Sequence, residues 1–245
     1  MFRFFAILCL ISFALSGCQT KKKNDEEVLP IPLVYNSGKE LLEKGEYKAA
    51  AEEFEKIYYQ HPGDAITPQA ELMEAYALFL DNKYEDCVDV LNVFIQLHPL
   101  NEDIDYAYYL KGLSEYMQIS KAELDQSVTE NAQKAFTELI ARFPNTKYAS
   151  DARLKMDLIN DHLAGNELYV ARYYMFVYNP IAAIPRLQNV IRNYDTTSHT
   201  PEALYRLTEA FMILGLKDEA TKYAAVLGHN YNHSKWYSKA YEILK

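Results

Sequence analysis

Cysteine, glycine and positive charge are all scarce in this 245-residue chain, and each shortage excludes something. There are three cysteines. Cys9 lies in an apolar leader and Cys18 closes it, so Cys87 stands alone in the remainder of the chain and no intramolecular disulfide is available. The fold must hold by packing. No histidine is arranged beside Cys87, which therefore reads as a small buried hydrophobe rather than a reactive thiol. The eight glycines are scattered and mostly mark turns. They build no phosphate-cradling loop and no Gly-x-Ser-x-Gly elbow, and there is no His-Glu-x-x-His pair. Lys and Arg number 25 against 34 Asp and Glu, a net charge of -9 with no basic stripe, which excludes nucleic acid as a partner. His229 and His233 are four apart, but two ligands do not make a zinc site, and Asn230 and Asn232 suggest a turn there. The sequence thus offers no catalytic constellation, no metal site and no cofactor site.

The N-terminus is informative instead. Arg3 supplies a positive start, Phe4 to Ala14 is an almost uninterrupted apolar run, and Leu15-Ser16-Gly17-Cys18 comes next. The run is too short to span a bilayer with Lys21, Lys22 and Lys23 so close behind it. It reads as a secretory signal ending in a lipobox. This arrangement resembles bacterial lipoprotein precursors. The resemblance implies cleavage before Cys18, diacylglycerol on its sulfur and a fatty acyl group on the new amine, more than the two signals stable anchoring requires. Gln19 stands where Asp often retains lipoproteins in the inner membrane, which favours the outer membrane. The expected division is a signal peptide at 1–17, a lipidated tether at 18–32 rich in charge and closed by Pro30 and Pro32, and a repeat domain at 33–245.

From Leu33 onward, Gly, Tyr, Ala, Phe and Pro recur at fixed offsets. Gly38, Gly45, Tyr47, Ala50, Phe54 and Pro62 fall at the places of a tetratricopeptide signature. Gly38 allows close approach of paired helices, Gly45 ends the first helix, Phe54 fills the seam, and Pro62 stops the second helix. Tyr47 to Tyr84 and Pro62 to Pro99 are the same step of 37 residues. A third unit carries Gly112, Phe136 and Pro144, with a longer connection at 119–129 where Asp125, Gln126 and Ser127 are capping types. A fourth has a long helical stretch from Tyr148 through Tyr178, then Pro180, Ala183 and Leu187; Pro185 inside that helix predicts a kink or distortion. A fifth runs from Pro201, with Gly215 at its turn, and Trp236 to Leu244 closes the stack. The expected fold is all-α: a tetratricopeptide-repeat superhelix of five helix pairs (about 33–66, 67–103, 104–147, 148–198 and 199–245) including a C-terminal helix.

Tyrosine is frequent, with 21 residues. Most should pack between helices with the hydroxyl at the wet edge, and some suit a peptide groove. The first helices of the first three units carry Tyr35, Lys39, Leu72, Tyr76, Phe79, Tyr109, Leu113 and Tyr116. Together they predict an aromatic trough for an extended peptide, unless helices of the next unit cover them.

Lipobox, tether and helix pairs together resemble the BamD family, the lipoprotein of the β-barrel assembly machinery. The segments that carry the likeness are Tyr108-Tyr109-Leu110-Lys111-Gly112-Leu113, Phe143-Pro144-Asn145-Thr146-Lys147-Tyr148-Ala149, Leu163-Ala164, Glu167-Leu168-Tyr169-Val170-Ala171-Arg172-Tyr173-Tyr174 and Ala182-Ala183-Ile184. Pro180, Pro185 and Asp195 depart from the family pattern. The resemblance implies a non-catalytic outer-membrane lipoprotein facing the periplasm. It also implies docking on a BamA-like barrel insertase beside other Bam lipoproteins, and recruitment of unfolded outer-membrane proteins. The trough would meet substrate, and Arg186, Arg192 and Arg206 would pair with carboxylates of the insertase. A rival is another periplasmic tetratricopeptide lipoprotein, a scaffold for pilus secretin assembly or peptidoglycan coordination, which would lack the fourth-unit segment. A wall hydrolase or glycan-binding lipoprotein would need more chain than remains.

Overall fold

The computed structural model describes residues 28–245, so the leader, Cys18 and most of the expected tether lie outside the described residues. The described residues form eleven α-helices. They are α1 (Ile31–Lys44), α2 (Tyr47–Gln60), α3 (Thr67–Leu80), α4 (Tyr84–Leu97), α5 (Ile104–Met117), α6 (Ser127–Arg142), α7 (Lys147–Phe176), α8 (Pro180–Asn193), α9 (Thr200–Ile213), α10 (Lys217–Asn230) and α11 (Lys235–Leu244). No described residue lies in a strand. Each helix packs on the one before and the one after it. The first helices of successive pairs also touch, α3 with α5 and α5 with α7, and α11 covers α9 and α10. The fold is the expected all-α stack of five pairs with a closing helix.

A shared seam explains the pairing. A Cβ on Gly38 would lie 2.8 Å from the Phe54 ring, and one on Gly112 would lie 2.6 Å from the Phe136 ring. Only a bare backbone admits a phenyl ring at that range. Where the second helix offers the smaller Leu91 or Leu187, the first helix carries Ala75 or Ala171, and all four are buried. Glycine with phenylalanine and alanine with leucine keep nearly the same summed volume while the individual sizes change, as close packing demands. In the fifth pair the corresponding positions, Thr208 and Ala224, are both buried and small.

The turn inside four of the five pairs is also shared; the third pair, α5–α6, has a longer connection instead. Gly45, Asn82, Tyr178 and Gly215 all have positive φ, at 77°, 60°, 57° and 75°. In each case two backbone bonds close the helix end. For Tyr178 these are Tyr178 N–H to the Met175 carbonyl at 3.2 Å and Asn179 N–H to the Tyr174 carbonyl at 2.9 Å. This is a Schellman turn, whose left-handed position favours glycine. Tyr178 takes it with a bulky side chain.

Second helices end alike as well. His61, His98 and Phe143 precede Pro62, Pro99 and Pro144, and proline pushes its predecessor out of the helical region. Their φ values are -133°, -123° and -129°. Tyr194 and Tyr231 adopt the same conformation, -136° and -137°, ahead of Asp195 and Asn232. At Asp195, where the family pattern often has proline, hydroxyls hold the exit instead: Thr197 donates to the Tyr194 carbonyl at 2.8 Å and Thr200 to the Asp195 carbonyl at 3.0 Å.

In the α5–α6 connection the Asp125 carboxylate accepts from the backbone N–H and the hydroxyl of Ser127. The α8 helix opens with Pro180 at its first position, capped by Asn179 Oδ1 accepting from Ala182 N–H at 3.3 Å. It continues through Pro185 to Asn193. The long α7 joins two parts of the core. Ala152, Ile159 and Leu163 pack with α3 to α6, whereas Ala164, Leu168 and Ala171 pack with α8 and α9. Cys87 is fully buried. Burial pushes its thiol up to about 11, so it is an inert part of the core.

Candidate functional site

The row of first helices carries a cleft of about 300 Å³ between α3, α5 and α7, lined by Gln69, Leu72, Tyr76, Asp103, Tyr106 and Tyr148 among others. Leu72 is buried and forms its floor, while Tyr76 is 37% exposed at its rim. Tyrosine rings continue from it. Tyr106 and Tyr109 both pack on Tyr148, with centroids 5.4 and 5.0 Å away, the second pair stacked. Tyr109 and Tyr116 then lean on Phe136, and Lys155 sits 5.7 Å over Tyr116.

One hydrogen-bond chain fixes the deep end. Tyr109 donates to Asp151 Oδ2 at 2.7 Å, and Lys155 Nζ donates to the same oxygen at 2.7 Å. The lysine bond holds the Asp151 carboxyl below the usual carboxylate range, with Tyr109 adding to it. Burial raises the phenols of Tyr106 and Tyr109 well above the ordinary tyrosine value, and the Asp151 bond raises Tyr109 further. These rings stay neutral at any physiological pH. They offer flat apolar area with polar tips, which suits binding and gives no nucleophile.

The expected trough residues fall into distinct places. Tyr76 borders the cleft. Tyr109, Leu113 and Tyr116 are half-buried against the core, because α7 of the next pair covers them. Tyr35 meets Phe54 edge-on at 5.5 Å, Phe79 tilts on Tyr84 at 5.6 Å, and Lys39 is exposed on α1. Tyr106 and Tyr148 are cleft residues that the sequence pattern did not single out. Tyr106 stands three before Tyr109, one helical turn along the same face, and that spacing was its available signal. Tyr148 belongs to the next unit and reaches the cleft only through stacking.

The three arginines also differ. Arg186 is half-exposed and reaches Glu167 at 3.2 Å. Arg206 is held by Glu202 at 3.3 Å and Glu209 at 3.1 Å, and lies 5.6 Å over Tyr205 and 6.0 Å over Trp236. Arg172 donates to both oxygens of Glu202, at 2.8 and 2.5 Å, and shares Oε1 with Arg206. Burial alone would raise Glu202; the two guanidiniums reverse that and hold it below the usual range. Arg192 lies at the end of α8 and makes no ion pair among the described residues. One further exposed group was not foreseen: Tyr173, Phe176, Tyr178 and Ile181 crowd the α7–α8 turn at 60%, 81%, 86% and 70% exposure. Among the described residues no group of three or more His, Cys, Asp or Glu is placed to hold a metal ion, and no helix is long and apolar enough to cross a membrane.

A family model described as "YfiO: Outer membrane lipoprotein" matches residues 30–227. The chain is 58% identical to the outer membrane protein assembly factor BamD of Rickettsia prowazekii over 97% of this chain and 95% of that one. The chain belongs to the BamD family. Relatives of the same name from Caulobacter vibrioides (40% identical, 96% of this chain and 78% of that one) and Neisseria meningitidis serogroup A (31%, 95% and 92%) are more distant. As a BamD-family member it is a non-catalytic, outer-membrane-associated assembly factor built as a tetratricopeptide scaffold.

Proposed function

We propose that this BamD-family chain holds the unfolded ends of outer-membrane β-barrel precursors in its tyrosine cleft. It would present them to a BamA-like insertase that docks on α7 to α11, in company with other Bam lipoproteins. The lipid on Cys18 would fix the scaffold to the outer membrane on its periplasmic side. The cleft of Tyr76, Tyr106 and Tyr148 carries this reading. Barrel strands alternate apolar and polar residues and are flanked by aromatic girdles, and a rigid aromatic surface binds such a segment at low entropic cost. Anchoring raises the local concentration of both partners, so individually weak contacts suffice and allow release. On the insertase side, Arg192 suits a carboxylate, and the aromatic α7–α8 turn suits an apolar recess.

The test is photo-crosslinking in native membranes, with a photoreactive residue placed at Tyr76 or, as control, at exposed Leu154. Crosslinks at position 76 should reach unfolded barrel proteins, and Tyr106→Ala should reduce them several-fold. A pull-down should recover a large barrel protein with periplasmic repeats. Equal crosslinking at 76 and 154 would end the substrate reading; recovery of wall enzymes or pilus components instead would end the insertase reading.

A further inference from the structure

The opposite side of α3 carries a second cleft of about 300 Å³, between α2 and α4. Glu71 and Glu74 point there, about 150° around the helix from Leu72 and Tyr76 at roughly 100° per residue. Glu55 on α2 and Asp89 on α4 complete a set of four carboxylates. Glu71 is only 5% exposed, and its Oε2 accepts no hydrogen bond. His98 Nε2 lies 3.1 Å from that oxygen and opposes the upward push of burial on the Glu71 carboxyl, an ion pair only when the imidazole is protonated. Among the described residues no lysine or arginine lines the cleft. Its remaining walls include Tyr58, Tyr59 and Val93, exposed by 37%, 69% and 47%, with the two rings edge to face at 5.2 Å.

We propose that this cleft is a receptor for one arginine or lysine side chain of a partner polypeptide. Four acidic side chains with no lysine or arginine lining their cleft, the buried Glu71 faced by an imidazole rather than a permanent cation, create a field that a cationic side chain relieves. The volume is about ten times the liquid share of a water molecule, room for one long side chain. Tyrosine faces at the mouth favour a guanidinium or ammonium over a neutral group. Tyr59 and Val93 offer apolar contact to residues flanking the cation, which suits a peptide better than a free ion. The absence of any metal-holding cluster among the described residues agrees.

The charge state of the cleft supplies a second handle. Burial, then Glu55 and Glu71, push Glu74 up to about 8. The groups that face it are Glu55, Tyr58 and Tyr59 on α2, Glu71 on α3, and Asp89 and the neutral thiol of Cys87 on α4, with His98 beyond Glu71. A bound cation favours the ionised form, so binding releases a proton below pH 8 and tightens as pH rises. Cation binding here is independent of the substrate-holding role proposed for the other face.

The experiment titrates the full-length protein in detergent with acetylated, amidated Ala-Val-Arg-Val-Ala, and with its counterpart bearing neutral citrulline in place of arginine. The arginine peptide should bind at least tenfold more tightly. Glu74→Gln and Glu71→Gln should each weaken it fivefold or more without lowering the unfolding temperature, and Leu154→Ala, at an exposed position that lines neither cleft, should change nothing. Affinity should rise between pH 6 and 8, with a heat that depends on the buffer's ionisation enthalpy. Equal affinity for the two peptides, or no effect of Glu74→Gln, would overturn the proposal. So would calcium or spermidine binding as tightly as the peptide with the same dependence on Glu74, which would mark a free-cation site.

Discussion

Glu202 and Glu74 are both carboxylates taken largely out of water on first helices of their pairs, and the fold treats them in opposite ways. Glu202, on α9, sits between Arg172 and Arg206 and is held below the usual range. Glu74, on α3, faces other carboxylates and is pushed up to about 8. Desolvation is the same force at both sites; the difference is whether the chain supplies the counter-charge. The Arg172–Glu202–Arg206 cluster ties α7 to α9 and is structural. The α2–α4 cleft leaves its cost standing, and that distinguishes a surface kept for a partner from one the chain completes alone.

The largest effect should come from titrating the unsatisfied site. Unfolded, Glu74 ionises near the ordinary glutamate value of 4.5; folded, near 8. Between those values the native state holds a proton that the unfolded state has lost, so stability falls as pH rises from 4.5 to 8 and is flat beyond. One pKa unit corresponds to about 1.4 kcal/mol; since water reaches the rim, about 3 kcal/mol should be lost across the window. Glu74→Gln should remove that slope and leave the variant more stable than the parent at pH 8.5, as read by urea unfolding at a series of pH values. An unchanged slope would show that Glu74 carries no such burden.

The satisfied site should behave in reverse. Glu202 contributes stability that is present above the usual carboxylate value and is lost as pH falls through its lowered folded value. Arg172→Ala would leave Arg206 as the remaining guanidinium partner of a 7% exposed carboxylate. The expected loss is about 2 kcal/mol at pH 7, below the full cost of stranding a buried charge because one partner stays. That loss should shrink in acid, where Glu202 is neutral in both proteins. A loss that persists undiminished at pH 3 would mean that Arg172 acts through packing rather than charge.

The repeat framework was legible in the sequence because it rests on local rules. Gly38 with Phe54, and Gly112 with Phe136, announce a seam by size alone; Pro62, Pro99 and Pro144 announce exits. What lay beyond reading depends on neighbours far along the chain. The aromatic face of α5 was visible, yet only the docking of α7 shows that Tyr109 and Tyr116 are half covered while Tyr106 and Tyr148 line the opening. The arginines were visible as charges, but Glu202 and Glu209 claim Arg206 and Glu167 claims Arg186, leaving Arg192 at the end of α8. The acidic cleft was hidden for the same reason: Glu55, Glu71, Glu74 and Asp89 look like ordinary helix surface until α2 and α4 close on α3.

The contrast between offset and standing cost extends to the backbone, where the expected effect is smallest. Gly45 and Gly215 occupy the left-handed turn position without a side-chain clash, and Asn82 is a tolerated exception, whereas Tyr178 adopts φ 57° with its ring 86% exposed. A bulky residue there costs about 1–2 kcal/mol, and the exposed ring gains little burial to offset it. Tyr178→Gly should relieve that strain but give back part of the gain as glycine's larger unfolded-state entropy. The net expectation is a stabilisation of about 1 kcal/mol, or an unfolding temperature higher by about 2–4 °C for a chain of this size. The same variant should recover less of the barrel insertase in a membrane pull-down, because Tyr178 stands at the centre of the exposed Tyr173, Phe176 and Ile181 group. A variant that becomes more stable and loses its partner would place the turn with the α2–α4 cleft, among features kept for contact at the expense of the fold. One that becomes more stable and captures the insertase as well as the parent would remove the α7–α8 turn from the docking surface and leave the strain without a function.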